Sequence, residues 1–132
     1  VKDLRLITAD DATQIMRNNY WNRWHADDIH DQSIANSLVD WVWASGRNGI
    51  VIPQRMLGVT ADGIVGKKTI TALNAQDPRL FFARLQKRRL LFIDNIIKAH
   101  PEQMMFRNGW IRRVNSIMYG MLIDNAGKTI KW

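Results

Sequence analysis

Ser33-Ile-Ala-Asn-Ser-Leu-Val-Asp-Trp-Val-Trp-Ala-Ser45, followed at once by Gly46, is the stretch whose reading decides the fold. Ile34, Leu38, Trp41, Val42 and Ser45 recur at helical spacing, and Ala35, Val39, Trp43 and Ala44 make the remaining faces apolar too. A helix apolar nearly all round is one wrapped by other helices, so the segment predicts a buried central helix in a mainly α protein. Gly46 supplies the left-handed residue at which such helices stop. One carboxylate, Asp40, falls in the middle of the run. A buried carboxylate is either a structural hydrogen-bond acceptor or a functional group, and the structural role is the commoner.

Downstream, Ile50 to Leu57 predicts a second short helix closed by Gly58, in which Pro53 is tolerable only near the first turn. In Val59-Thr-Ala-Asp-Gly-Ile-Val-Gly-Lys-Lys-Thr-Ile-Thr-Ala-Leu73, Asp62-Gly63 reads as a turn. Ile64 and Val65 are expected to plug that turn into the core, and Gly66 to start a helix through Leu73 and Asn74. Nothing in this loop is chemically reactive, so its role reads as architectural.

Upstream, Thr8 is an N-cap, with Asp10 and Asp11 in the first turn of a helix running to about Tyr20 or Trp21. Its inward face is Ala12, Ile15, Met16 and Tyr20. Trp21, Trp24 and His25 crowd the helix end, where aromatics either close a core edge or form a platform for stacking on a sugar. Asp27-Asp-Ile-His-Asp31 places three carboxylates in five residues. Paired acid–base chemistry or a calcium loop comes to mind, but a calcium loop needs a turn glycine and a closing Glu that are missing. A solvated linker that N-caps the central helix through Asp31 or Ser33 fits better.

Asp77-Pro-Arg79 opens a helix over Pro78 to Ala99, with Asp77 as N-cap and Pro at the first position. Leu80, Phe81, Leu85, Phe92, Ile96 and Ala99 form its apolar face, widened by Leu91, Ile93 and Ile97, while Arg84, Lys87, Arg88, Arg89 and Lys98 fill the rest. Such a basic amphipathic helix can serve a membrane surface or nucleic acid, or can simply be the longest helix of a bundle. His100-Pro-Glu-Gln103 breaks the chain, and Met104, Met105 and Phe106 are expected to pack. Asn108-Gly109 reads as a turn before an amphipathic helix from Trp110 to Tyr119, facing inward with Trp110, Ile111, Val114, Ile117 and Met118. Residues 121–132 alternate about Asp124-Asn-Ala-Gly127, a hairpin signal that would be the only sheet.

The 132 residues are enough for a core, and their formal charge of +7 is unevenly placed: residues 1–40 carry −3 and residues 41–132 carry +10. A basic C-terminal portion favours polyanions such as nucleic acid, anionic lipid or a cell wall, or else it only solvates outward helix faces. The absence of cysteine excludes disulfides and thiol chemistry. His25, His30 and His100 have no metal-ligand spacing, so no metal site is expected. No apolar run is long enough to span a bilayer.

Leu57-Gly-Val-Thr-Ala-Asp-Gly-Ile-Val-Gly-Lys-Lys-Thr-Ile-Thr-Ala-Leu73 resembles the repeat of peptidoglycan-binding modules, with Asp62, Gly63, Gly66 and Thr69 at its structural positions. Together with Asn19-Tyr-Trp21, Asp40, Ala44-Ser-Gly46 and Gly109-Trp-Ile-Arg-Arg-Val-Asn115, in that order, the chain is similar to glycoside hydrolase family 108. The resemblance spans residues 4 to about 119. It implies a lysozyme-like N-acetylmuramidase that cleaves between N-acetylmuramic acid and N-acetylglucosamine, joined to a predicted peptidoglycan-binding region. It places Tyr20, Trp21, Asp40, Ser45 and Gly46 along the glycan cleft, and it implies no cofactor. Residues 1–58 would be the C-terminal part of the catalytic domain, 59–120 the wall-binding helical region, and 121–132 a tail or hairpin.

Glycoside hydrolysis needs a carboxylic acid to protonate the leaving oxygen. The single glutamate, Glu102, follows a Pro in an expected surface turn and lacks the semi-apolar cleft such an acid needs. The family's acid is the Glu of a Glu-Gly-Gly motif, and no such motif occurs here. The resemblance therefore implies a fragment without a catalytic residue of its own, with the family Glu upstream of Val1, or a homologue that has lost chemistry and kept wall binding. Two rivals stand beside the hydrolase: a non-catalytic wall-binding or secretion-accessory module, and a basic nucleic-acid-binding domain, against which no helix-turn-helix spacing is found. The expected partner is the peptidoglycan strand rather than nucleic acid. The expected site of action is the bacterial wall or periplasm, after synthesis in a bacterium or phage-infected cell. Oligomeric state is not legible.

Overall fold

The computed structural model describes residues 20–124 and 127–132; the helix expected from Thr8 lies outside the described residues. Among them are five helices: α1 (Gln32–Ser45), α2 (Asn48–Leu57), α3 (Lys67–Asn74), α4 (Pro78–Ala99) and α5 (Arg107–Asn115). A three-stranded antiparallel sheet follows, β1 (Ile117–Met118), β2 (Met121–Ile123) and β3 (Thr129–Lys131), in that spatial order. The mainly α reading with a C-terminal hairpin therefore holds. Leu122 faces Ile117 on one side and Ile130 on the other, and Gly127 turns the hairpin at φ 82°.

Every residue of α1 from Ser33 to Val42 is buried, as its all-round apolarity demands. Asp31, rather than Ser33, caps it, accepting the Ile34 N–H at 2.9 Å. The enclosure ends a turn before the helix does, because Trp43 is 46% exposed. Gly46 then stops the helix at φ 61°.

Helix α2 starts at Asn48, earlier than the sequence implies, so Pro53 sits in its interior rather than its first turn. Proline has no N–H, which leaves the Gly49 carbonyl four residues back without its helical donor. The buried Trp24 fills that vacancy: its indole Nε1–H donates to the Gly49 carbonyl at 3.1 Å. Gly49 is also a point of close approach between α2 and α1. A Cβ there would lie 2.5 Å from the Val42 nitrogen and 2.7 Å from the Trp41 carbonyl carbon.

The loop before α3 is organised by Gln54, a side chain with no exposure at all. Its amide nitrogen donates to the Ile64 carbonyl at 3.0 Å, Asp62 Oδ1 at 3.2 Å and Thr69 Oγ1 at 3.3 Å, and its oxygen accepts the Gly63 N–H at 3.0 Å. Asp62 Oδ1 also accepts the Ile64 N–H at 3.0 Å, which with Gln54 holds the Asp62 carboxyl below the usual carboxylate value. Val65 is buried as expected, but Ile64 is 72% exposed because its own backbone N–H and carbonyl, not its side chain, anchor the turn. Gly66 is the residue before α3, and Asn74 at its far end clamps the Asp28–His30 loop.

Asp77 caps α4 as expected, accepting the Leu80 N–H at 3.1 Å. The buried stripe is Phe81, Phe82, Leu85, Arg89, Ile93 and Ile97, so Leu80 and Leu91, placed inward from sequence, face solvent. Met104, Met105 and Phe106 are exposed as well, in a 3-10 segment from Pro101 to Phe106 that has no buried residue. Asn108-Gly109 is no turn but part of α5's first turn, and Ile117 and Met118 leave that helix for β1.

Candidate functional site

The central helix carries Asp40 with no exposed surface, and two guanidinium groups reach it from different helices. Arg89 Nη2, from α4, donates to Asp40 Oδ2 at 2.8 Å. Arg113, from α5, donates to Oδ1 through Nε at 3.0 Å and Nη2 at 2.7 Å. Arg89 is itself 2% exposed, and its Nη1 donates to the Ser37 carbonyl and hydroxyl, each at 3.2 Å. Burial pulls the Arg89 guanidinium below its ordinary value, and the Asp40 charge opposes that pull. Asp40 is thus the counterion that ties α1, α4 and α5 together.

Beside this cluster lies a cavity of about 140 Å³. Helix α1 lines it with Trp41, Ala44 and Ser45; α4 with Arg89, Phe92, Ile93 and Ile96; α5 with Trp110, Arg113 and Val114. Two exposed aromatic residues, Trp43 and Phe106, contact lining residues. Arg113 lies 3.9 Å over the Trp43 ring, and Trp110 is stacked on Phe106 at 5.8 Å with 25° between the planes. An apolar concavity with a few convergent polar groups is the usual form of a ligand site.

Of the five residues that the resemblance puts along a glycan cleft, Ser45 lines the cavity and Gly46 follows it at the helix end. Tyr20 is half-buried against the core. Trp21 is 1% exposed, its Nε1–H donating to Asp27 Oδ1 at 2.9 Å, and Asp40 is enclosed by its arginines. Asp62, Gly63 and Thr69 come together around Gln54, and neither they nor Gly66, which precedes α3, line the cavity. Arg89, Arg113 and Trp110 are site residues that the sequence reading does not single out. A lone carboxylate inside an apolar helix calls for a cation, and Arg89 on the 81–85–89–93–97 ladder is the available signal. Among the described residues Asp40 is the one buried carboxylate. Glu102 is exposed, 3.3 Å from His100 Nδ1, without the apolar surroundings of a general acid.

Comparison with known families matches residues 48–115 to a family described as a predicted peptidoglycan domain, and residues 1–46 to glycosyl hydrolase 108. The first match covers just over half of the chain, so the chain belongs to the predicted peptidoglycan domain family. Among solved structures, SagA of Brucella abortus is similar, with a TM-score of 0.71 and 28% identity across 84% of this chain. This chain spans 62% of the SagA chain. No curated protein matches. The two family segments meet at the α1–α2 turn, where Gly49 lies against the backbone of Trp41 and Val42, so they share one core.

Proposed function

We propose that this chain is the wall-holding part of a peptidoglycan hydrolase of the lysozyme-like, N-acetylmuramidase type, acting at the bacterial wall or periplasm. The observation that carries this reading is the position of the cavity. Trp41, Ala44 and Ser45 come from the segment matched to glycosyl hydrolase 108, and the other lining residues from the segment matched to the predicted peptidoglycan domain. A strand lying along this seam would touch both. Ser45, Gly46, the exposed Trp43 and the partly buried Trp110 would meet the glycan, while Tyr20, Trp21 and Asp40 would hold that surface in place.

Cleavage of the bond between N-acetylmuramic acid and N-acetylglucosamine needs a general acid. Neither Asp40, committed to two arginines, nor the exposed Glu102 is placed for it. The hydrolytic step therefore belongs, in this proposal, to a longer protein that contributes the acid, and residues 1–132 contribute binding. The placement of these two carboxylates also favours a second reading, a wall-binding module with no chemistry.

Sedimentation with purified sacculi, run beside a turbidity assay, tests both. The 132-residue chain should sediment with sacculi and clear nothing, and a form extended upstream should clear. Clearing by neither, with binding retained, selects the non-catalytic module. A chain that stays in the supernatant at moderate salt refutes wall binding.

A further inference from the structure

We propose that the cavity between α1, α4 and α5 is a binding site for the carboxylate end of a short peptide with a small aliphatic terminal residue. Two features specify that class. The first is charge: among the described residues the cluster at the cavity holds two guanidinium groups, the buried Arg89 and the partly exposed Arg113, against the one carboxylate of Asp40. An excess cation in a poorly solvated place favours an anion beside it. The second is an unused donor. Arg89 lines the cavity, its side chain is 2% exposed, and its Nε–H is buried with no hydrogen-bond partner. A buried donor left unmade costs about 1–3 kcal/mol; the Nε is covered in this structure, so the carboxylate oxygen satisfies it only as the groups around the Arg89 head part to admit the ligand.

The rest of the lining sets what accompanies the carboxylate. Trp41, Phe92, Ile96 and Val114 present apolar surface, which suits a methyl-sized side chain and not a second charge. The cavity, about 140 Å³ and lined by these apolar groups, suits a small terminal residue such as alanine. Half-exposed Ser45 adds a hydroxyl at the rim for the preceding peptide group. This inference rests on the wall-binding reading only for the natural source of the peptide, since the stem peptides of peptidoglycan end in such carboxylates.

The test is a titration of the 15N-labelled chain, following the side-chain Nε–H resonance of Arg89, assigned by its loss in Arg89→Met. Three probes are used: N-acetyl-D-alanyl-D-alanine, the same dipeptide as its C-terminal amide, and N-acetylglucosamine. The expected result is a saturable shift with the free acid and at least about tenfold weaker binding of the amide, the scale of a lost charge-assisted hydrogen bond. Ala44→Trp, at the exposed rim of the cavity, should abolish the shift while leaving the helical circular dichroism unchanged. Repeating the titration with the L,L dipeptide separates a wall source, which requires D preference, from any peptide C-terminus. No saturable shift, an equal response to the amide, or a response to the sugar alone overturns the proposal. Sacculus sedimentation in parallel keeps the two readings apart: wall binding without the shift refutes only the carboxylate site, and the shift without wall binding refutes only the wall.

Discussion

Replacing Asp40 by Ala removes the one anion that, among the described residues, pairs with Arg89 and Arg113. Arg113 is 34% exposed and can turn its head to water, but Arg89 at 2% cannot without opening the α1–α4 contact. Breaking a buried pair by removing one partner costs about 3–5 kcal/mol, because a charge is left uncompensated. For a domain of this size that is a fall in Tm of roughly 10–20 °C. Urea unfolding followed by tryptophan fluorescence reads it directly. The double variant Asp40→Leu with Arg89→Met should recover most of the loss, because apolar replacements of a buried pair are often neutral. Two results would refute the reasoning: a cost below about 1 kcal/mol for Asp40→Ala, or a double variant as unstable as the sum of its single changes.

Gly49→Ala should destabilise by about 3 kcal/mol or more, since the added Cβ meets backbone atoms of Trp41 and Val42 that cannot rotate away; a fully folded variant with wild-type Tm would contradict the close crossing. Trp24→Phe keeps an aromatic ring but removes the donor to the Gly49 carbonyl, an expected loss of about 1–3 kcal/mol. Adding Pro53→Ala to Trp24→Phe restores a helical donor and should return part of that loss; no rescue would mean that the indole matters only for packing. Tyr119 donates its phenol to Asp31 Oδ2 at 2.6 Å, which raises its pKa above the ordinary 10.0. The stability it contributes is complete below pH 10 and is lost as pH rises through the raised value. Tyr119→Phe should therefore lose less stability than wild type above pH 10, and parallel losses in urea titrations would refute the link.

What can be read from the sequence is local. The cap at Asp77, the stop at Gly46, the Asp62-Gly63 turn and the hairpin about Gly127 depend on backbone geometry within a few residues, and all four are present. Burial is harder to read. Leu80, Leu91, Met104, Met105 and Phe106 are apolar and exposed, because hydrophobicity says what can be buried and not what is. Arg89 reads as a solvated charge, yet it sits in the middle of the buried stripe, since its partner Asp40 lies 49 residues away. Gln54 illustrates the same limit. A neutral amide has no periodicity or charge to mark it, and its importance appears only when Asp62, Gly63, Ile64 and Thr69 close around it. The candidate site divides in the same way: Ser45, Gly46, Trp110 and Arg113 all fall in quoted motifs, but of these the resemblance places only Ser45 and Gly46 at a cleft, because the role of Arg113 and Trp110 appears when α5 is brought against α1.

The hydroxyl of Ser33, at the start of the central helix, accepts the Gly120 N–H at 2.8 Å and the Trp132 indole N–H at 2.9 Å. That single oxygen joins points 87 and 99 residues apart along the chain. Closing loops of such length is entropically costly before any contact compensates, and contacts of high sequence separation slow folding. On the ribosome these partners emerge long after α1, so its first turn must wait, with this flank uncovered, until synthesis has passed Trp132. The order of events in time is thus set by a serine, and the helix that α4 and α5 pair with through Asp40 is finished only after the sheet has been made.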